Sequence, residues 1–170
     1  MNLIQYLKEN KSAIVKSWHE AALEFSGGCP HDFADKQKEL VVEATGCTPE
    51  GGLEGLLDAL LNGVMRDDVS RFLDGMMRSR VANELSASQA LGFILKVKKI
   101  VRIKLGRDSF DDALLAEELA VWESAVDDLA LFGFDLYAKI READFEFKAN
   151  EAKKEVIMLL KKAKLIDDLE

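Results

Sequence analysis

The sequence is poor in residues that interrupt helices. It contains only two prolines, Pro30 and Pro49, so the whole chain after Pro49 lacks the strongest helix breaker. Apolar residues recur there at spacings of three, four and seven, and strict alternation of apolar and polar residues is rare. This spacing is typical of amphipathic helices rather than strands. We therefore predict an all-α protein.

Long apolar runs are also missing. No stretch approaches the ~18 consecutive apolar residues that a transmembrane helix needs, so we expect no stable membrane insertion. The first residues, MNLIQYLKENKSAIVKSW, carry Lys8 and lack the apolar run and cleavage site of a signal peptide. We therefore expect a cytoplasmic protein, in which Cys29 and Cys47 stay reduced.

Positive charge is in short supply. The formal net charge is −8 and the isoelectric point is about 4.9. Such an average field repels phosphate backbones, so we expect no nucleic-acid partner. The exception to this acidity is a basic cluster that includes Lys96, Lys99 and Arg102. It is a candidate surface for a protein partner, or else a solvated helix face paired with the acidic stretch from Asp108 to Glu118.

The scarcity of histidine limits the possible chemistry. His19 lies in KSWHEAALEF, where a metalloprotease motif would need histidine in place of Leu23 and a di-iron motif would need glutamate in place of Lys16. On a helical wheel Trp18 lies in the apolar stripe and His19 lies at its edge. We therefore interpret His19 as a hydrogen-bonded residue at the edge of a helix.

Cys29, His31 and Cys47 could together suggest a metal site. The helix predicted between Asp32 and Thr45 would hold the two cysteines about 20 Å apart, too far for a shared metal or a disulfide. No histidine follows His31, and adjacent carboxylates point in different directions on a helix. We therefore expect no metal, no cofactor, no catalytic residue and no enzymatic activity.

Capping residues and apolar spacing predict seven helices. The predicted ranges are Asn2–Glu9, Ser12–Phe25, Asp32–Thr45, Pro49–Gly63, Asp67–Leu85, Ser86–Leu105 and a long helix from Phe110 onward.

The long helix carries apolar residues at alternating steps of four and three, the pattern of a coiled-coil seam. The predicted seam consists of Trp122, Val126, Leu129, Gly133, Leu136, Ile140, Ala143 and Phe147. Because a helix of about 40 residues spans roughly 60 Å, we predict that a homodimer buries this seam, with Gly133 allowing close approach. The alternative is a helix that packs only on its own domain. We divide the chain into a helical domain, 1–147, and a basic amphipathic tail, 148–170.

Two segments carry a family resemblance. LKENKSAIVKSW (7–18) and FLDGMMRSR (72–80), the latter leading into LSASQAL (85–91), resemble the RsbRD N-terminal domain family. These are sensor domains of RsbT co-antagonist proteins in bacterial stressosomes. The resemblance covers about residues 3–140. It implies a globin-like fold that binds no haem, dimerises through helices and signals through its C-terminal helix in the stress response.

The chain also departs from that family, because the residues after Phe147 are too few for a phosphorylatable output domain. We therefore expect a non-enzymatic signalling or adaptor domain that acts through contacts with a protein partner of unknown identity. The alternative is a sensor of a small apolar ligand, bound in a pocket between the helices that carry Trp18, Phe72 and Met76.

Overall fold

A computed structural model of the chain describes residues 2–24, 48–63, 67–106 and 113–163. Within these ranges the protein is all-helical, as predicted, and contains no strand. The predicted helix Asp32–Thr45, the residues Cys29, His31 and Cys47, and the predicted helix start at Phe110 lie outside the described residues. The six helices are α1 (Leu3–Glu9), α2 (Lys11–Glu24), α3 (Pro49–Asn62), α4 (Asp67–Ala82), α5 (Ala87–Leu105) and α6 (Ala113–Lys162).

Capping residues set several helix ends as the sequence predicts. The Thr48 side chain accepts a hydrogen bond from the amide of Gly51 and Pro49 opens α3, whereas Gly63 ends it in the left-handed conformation, with φ 66°. Ser86 and Gln89 form the predicted capping box at the start of α5.

Two helix ends differ from the prediction. Helix α2 starts at Lys11 rather than after Ser12, because the Asn10 carbonyl already accepts a hydrogen bond from Ile14. Helix α4 ends at Ala82 rather than at Leu85. There Glu84 takes a left-handed φ of 57°, and the amide of Leu85 donates to the Arg80 carbonyl. This hydrogen-bond pattern is a Schellman motif with glutamate in the place that glycine usually occupies.

Helix α2 lies at the centre of the packing and contacts α1, α3 and α5. Its residues Ile14 and Trp18 are fully buried, together with Leu53 and Leu57 of α3 and Phe93 of α5. Each helix contributes side chains three or four residues apart, because that spacing places them on one helix face. The apolar periodicity of the sequence thus forms the core.

Glycine allows α3 and α4 to approach closely. A Cβ atom built on Gly52 would overlap the ring of Phe72, a fully buried side chain of α4. The two helices therefore meet at a point where only a residue without a side chain fits.

We expect Gly52→Ala to destabilise the protein by about 1–3 kcal/mol, since the Phe72 ring must move. In the double variant Gly52→Ala/Phe72→Leu the smaller side chain leaves room for the new methyl group. Urea unfolding should therefore give a double-variant loss smaller than the sum of the two single losses. Strict additivity would contradict this contact.

Contacts divide the chain into two units, residues 1–137 and 138–170. The sequence predicts the boundary farther along the chain, after Phe147. In the first unit, α6 is fastened to the other helices by Tyr137, whose hydroxyl donates to the Leu85 carbonyl at 2.8 Å, and by Glu118, which accepts from the Leu3 amide at 2.7 Å. In the second unit, the described residues are helical through Lys162, and nearly all of them are exposed. No helix in the described ranges has the length and apolar character to cross a membrane.

Candidate protein-interaction site

An apolar groove lies between α3 and α6 of the first unit, with α1 at one end. It consists of a cavity of about 440 Å³ and a neighbouring one of about 260 Å³, which share the lining residues Leu60 and Ala125. The apolar groove is lined mainly by Ile4, Leu60, Leu61, Leu114, Val121, Ala125 and Phe132.

Helical spacing explains why α6 contributes so many of these side chains. Leu114, Val121, Ala125 and Phe132 follow one another at intervals of seven, four and seven, so they share one side of the helix. Leu114 and Val121 are 67% and 69% exposed. Contiguous exposed apolar surface of this kind marks interaction sites in soluble proteins.

Among the described residues, the charged side chains that line the groove are acidic. Glu117 and Glu118 border the larger cavity, and Asp128 borders the smaller one. Glu118 also accepts a hydrogen bond from the amide of Leu3, the first residue of α1, which holds its carboxylate in place. The groove therefore offers an apolar floor with a negatively charged border.

Trp122 forms part of the wall of the larger cavity. Its side chain is buried, and its indole Nε1 has no hydrogen-bond partner among the described residues. An unpaired buried donor costs about 1–3 kcal/mol. The wall of the groove thus contains a polar group that the fold of the described residues does not satisfy.

The seam residues divide into two groups in this structure. Trp122, Val126, Leu129 and Gly133 are buried inside the first unit, where a Cβ on Gly133 would come within 2.9 Å of Leu91 and 3.1 Å of Ile94. The close approach at Gly133 is therefore made to α5 of the same chain. Farther along α6, Leu136 and Ile140 are partly exposed, Ala143 is exposed, and Phe147 is 66% exposed. Burial of the first group within one chain agrees with the alternative to a dimer seam, and the dimer itself stays a prediction.

The three residues of the predicted pocket are core residues. Trp18 and Phe72 are fully buried and Met76 is nearly so. The Trp18 indole donates to the Phe93 carbonyl at 2.8 Å, and the Phe72 ring lies against Gly52. The cavities of the apolar groove are lined by other residues, and a pocket at these three positions stays a prediction.

The basic cluster on α5 is partly neutralised by α6. The Arg102 guanidinium forms two hydrogen bonds with the Glu123 carboxylate, at 2.5 and 2.7 Å, which raise the pKa of Arg102. Lys98 lies 2.6 Å from Asp127. Lys96 is half-buried and Lys99 is exposed. The acidic partners of Arg102 and Lys98 lie beyond the predicted stretch Asp108–Glu118, part of which falls outside the described residues. Use of the cluster by a partner stays a prediction.

The His19 side chain is 15% exposed, so it lies closer to the core than the helix-edge position predicted from the sequence. Its Nδ1 lies 3.4 Å from a carboxylate oxygen of Glu50, whereas its Nε2 is buried without a hydrogen-bond partner among the described residues. The described candidate partner for the predicted hydrogen bond of His19 is thus the Glu50 carboxylate. In the described part of the chain, no three His, Cys, Asp or Glu side chains are grouped so that they could hold a metal ion.

Arg80, the last residue of the segment FLDGMMRSR, is a buried cation that sequence reasoning did not single out. Arg80 is 4% exposed, donates to the Gln89 carbonyl at 2.9 Å and lies 4.7 Å from the centre of the Phe93 ring. No carboxylate in the described ranges forms an ion pair with it. Burial lowers the pKa of its guanidinium to about 10, so it remains charged at neutral pH. The cation is held by a carbonyl and an aromatic ring.

We expect Arg80→Ala to destabilise the protein by about 2 kcal/mol, because it removes the packing of the side chain and its hydrogen bond to the Gln89 carbonyl. Arg80→Met keeps the apolar stem without a buried charge and should cost less than Arg80→Ala. Arg78→Ala is the matched control, since Arg78 is exposed and pairs only with Asp74 on its own helix. Thermal unfolding that ranks Arg78→Ala as the most harmful of the three would contradict this assignment.

Comparisons of the chain with known protein families, with curated proteins and with solved structures found no match. Sequence reasoning missed the apolar groove, although the off-seam residues Leu114, Val121 and Phe132 carried a signal for it. Their spacing indicates a second apolar side on the long helix, which a search for one seam overlooks.

Proposed function

We propose that this protein is a non-enzymatic signalling or adaptor domain that acts through protein contacts, and that the apolar groove is its contact surface. In this proposal the fold is globin-like without haem and the domain works as a dimer, as in the stressosome sensor domains that the sequence resembles. The observation that carries the proposal is the exposed apolar floor of the groove with its acidic border.

The physical reason is the cost of leaving such a surface in water. Burying apolar surface stabilises a complex by about 25 cal/mol per Å² removed from water. Leu114 and Val121 are each about two-thirds exposed, so a partner covering them gains this energy without opening the core. An acidic border favours partners with basic residues beside their apolar ones and discriminates against acidic partners.

The groove can be tested with a matched pair of substitutions. Val121 lies in the groove and is 69% exposed, whereas Ile103 lies on α5 and is 68% exposed. Val121→Glu and Ile103→Glu therefore add the same charge at the same exposure. Neither should unfold the protein, and circular dichroism with thermal unfolding checks this.

Tagged wild type and both variants should be expressed at native level in the source organism and captured with their partners. We expect one or more proteins to co-purify with wild type and with Ile103→Glu, and to be reduced at least about tenfold with Val121→Glu, since a buried unpaired charge costs several kcal/mol. Equal recovery with all three proteins would contradict the proposal that the groove is the contact surface.

The second candidate function is sensing of a small apolar ligand, favoured by the size of the larger cavity. Its volume of about 440 Å³ lies within the range of ~300–1,000 Å³ found for ligand pockets. Titration with the neutral apolar dye Nile red should then give saturable fluorescence that Val121→Glu weakens and Ile103→Glu leaves unchanged. Binding that is equal in both variants would exclude the groove as a ligand site.

A further inference from the structure

The second unit contains a band of five consecutive apolar residues, Val156–Leu160, which we call the apolar band. Its first four residues are 46% to 64% exposed. The described residues around them are also helical and exposed. The band is therefore a large apolar surface without a partner in the described part of the chain.

The band surrounds the helix rather than forming a stripe. Successive helical residues are about 100° apart, so five in a row cover every side. A helix that is apolar all round requires burial on more than one face. Packing against one face of a single helix would leave roughly half of the band in water, whereas a concave apolar groove encloses more of it.

The charges beside the band complement those of the apolar groove. Four lysines flank the band, namely Lys153, Lys154, Lys161 and Lys162, and two acids, Glu151 and Glu155, precede it. Because Lys154 pairs with Glu151 at 2.9 Å, the net charge beside the band remains positive through the other lysines. The groove's charged lining is acidic, at Glu117, Glu118 and Asp128. Opposite charges at the border of an apolar contact favour that pairing, while two grooves placed face to face would bring like charges together.

We propose that the apolar band of one copy of this chain docks into the apolar groove of a second copy. Each contact joins two different surfaces, the band of one chain and the groove of the other, and is matched by its reciprocal contact in a two-fold dimer. Two such contacts, related by a two-fold axis, close a dimer. The inference rests on the proposed function only in treating the groove as a protein-contact surface, and it adds that the band competes with any other partner for the groove.

The first test is the mass of the full-length protein by sedimentation velocity over a concentration series. We expect wild type and Ile103→Glu to be dimers in the micromolar range. Val121→Glu, which alters the groove, and Ile157→Glu, which alters the band, should each raise the dissociation constant at least about tenfold. Positions 103, 121 and 157 are all exposed, so the three variants should fold like wild type, which circular dichroism checks.

Mixing Val121→Glu with Ile157→Glu distinguishes band-to-groove docking from other dimer arrangements. Val121→Glu retains an intact band and Ile157→Glu retains an intact groove, so an equimolar mixture should form heterodimers through one intact contact. A wild-type monomer, or a mixture that stays monomeric, would overturn the proposal. So would a dimer that Ile157→Glu dissociates and Val121→Glu does not, because that result indicates pairing of band with band.

Failure here and failure of the proposed function give different results. If wild type is monomeric but Val121→Glu still loses its captured partner, the groove is a contact surface and the second copy is not its occupant. If the band-to-groove dimer forms but capture is unaffected by Val121→Glu, the self-association stands and the adaptor proposal fails.

Discussion

Replacing Trp18 with alanine should nearly unfold the protein. The Trp18 side chain is fully buried at the centre of the packing, with its ring 6.5 Å from that of Phe93 and its Nε1 bonded to the Phe93 carbonyl. Removing a buried tryptophan costs about 3–5 kcal/mol, a large part of the ~5–15 kcal/mol that stabilises a domain. Urea unfolding followed by circular dichroism measures the loss.

One further variant separates the contribution of the Trp18 hydrogen bond from that of its ring, and a second variant serves as a control. Trp18→Phe keeps an aromatic ring but removes the indole donor. Because the Phe93 carbonyl lies inside α5 and still accepts the helical i+4 amide, we expect a loss of about 0.5–1.5 kcal/mol from that hydrogen bond. Leu23→Ala is the control on the same helix, because Leu23 is 38% exposed, and it should cost less than about 1 kcal/mol. A Trp18→Ala loss as small as that of Leu23→Ala would show that Trp18 is not a core residue.

Replacing Leu129 with glutamate should also disrupt folding. Leu129 is 5% exposed within the first unit, and an unpaired buried carboxylate costs several kcal/mol. Leu131→Glu, two residues along the same helix, is the matched control, because Leu131 is 65% exposed. We expect a much lower melting temperature for Leu129→Glu and a melting temperature close to that of wild type for Leu131→Glu.

This pair also distinguishes the two interpretations of the long helix. If Leu129 belonged to a seam between two chains, its replacement would yield a folded monomer. Burial within one chain predicts loss of helical structure instead. A Leu129→Glu protein that is monomeric and as stable as wild type would contradict the packing described here.

Helix positions were predictable from the sequence because their signals are local. Pro49, Gly63 and the Ser86–Gln89 capping box each act within one helical turn. The end of α4 was not predictable in the same way, since Glu84 adopts the left-handed conformation without the glycine that usually announces it.

Which helix faces pack against which neighbouring helices could be assigned only from the three-dimensional fold. A heptad spacing is the same whether the facing helix belongs to the same chain or to a second one, so the pattern did not show that α5 lies opposite Gly133. The ion pair between Arg102 and Glu123 likewise joins residues of different helices, and no sequence spacing specifies which helices are neighbours. The groove depends on three helices meeting, which no single periodicity reveals.

Site-specific photo-crosslinking in living cells tests most directly whether the apolar groove contacts another protein. The photoreactive amino acid p-benzoylphenylalanine should replace Val121 in one full-length protein and Ile103 in another. If the groove is a contact surface, illumination should link position 121, but not position 103, to a protein of defined mass. That protein is either a second copy or a distinct partner. Absence of protein adducts at position 121, or equal adducts at both positions, would contradict this role of the groove.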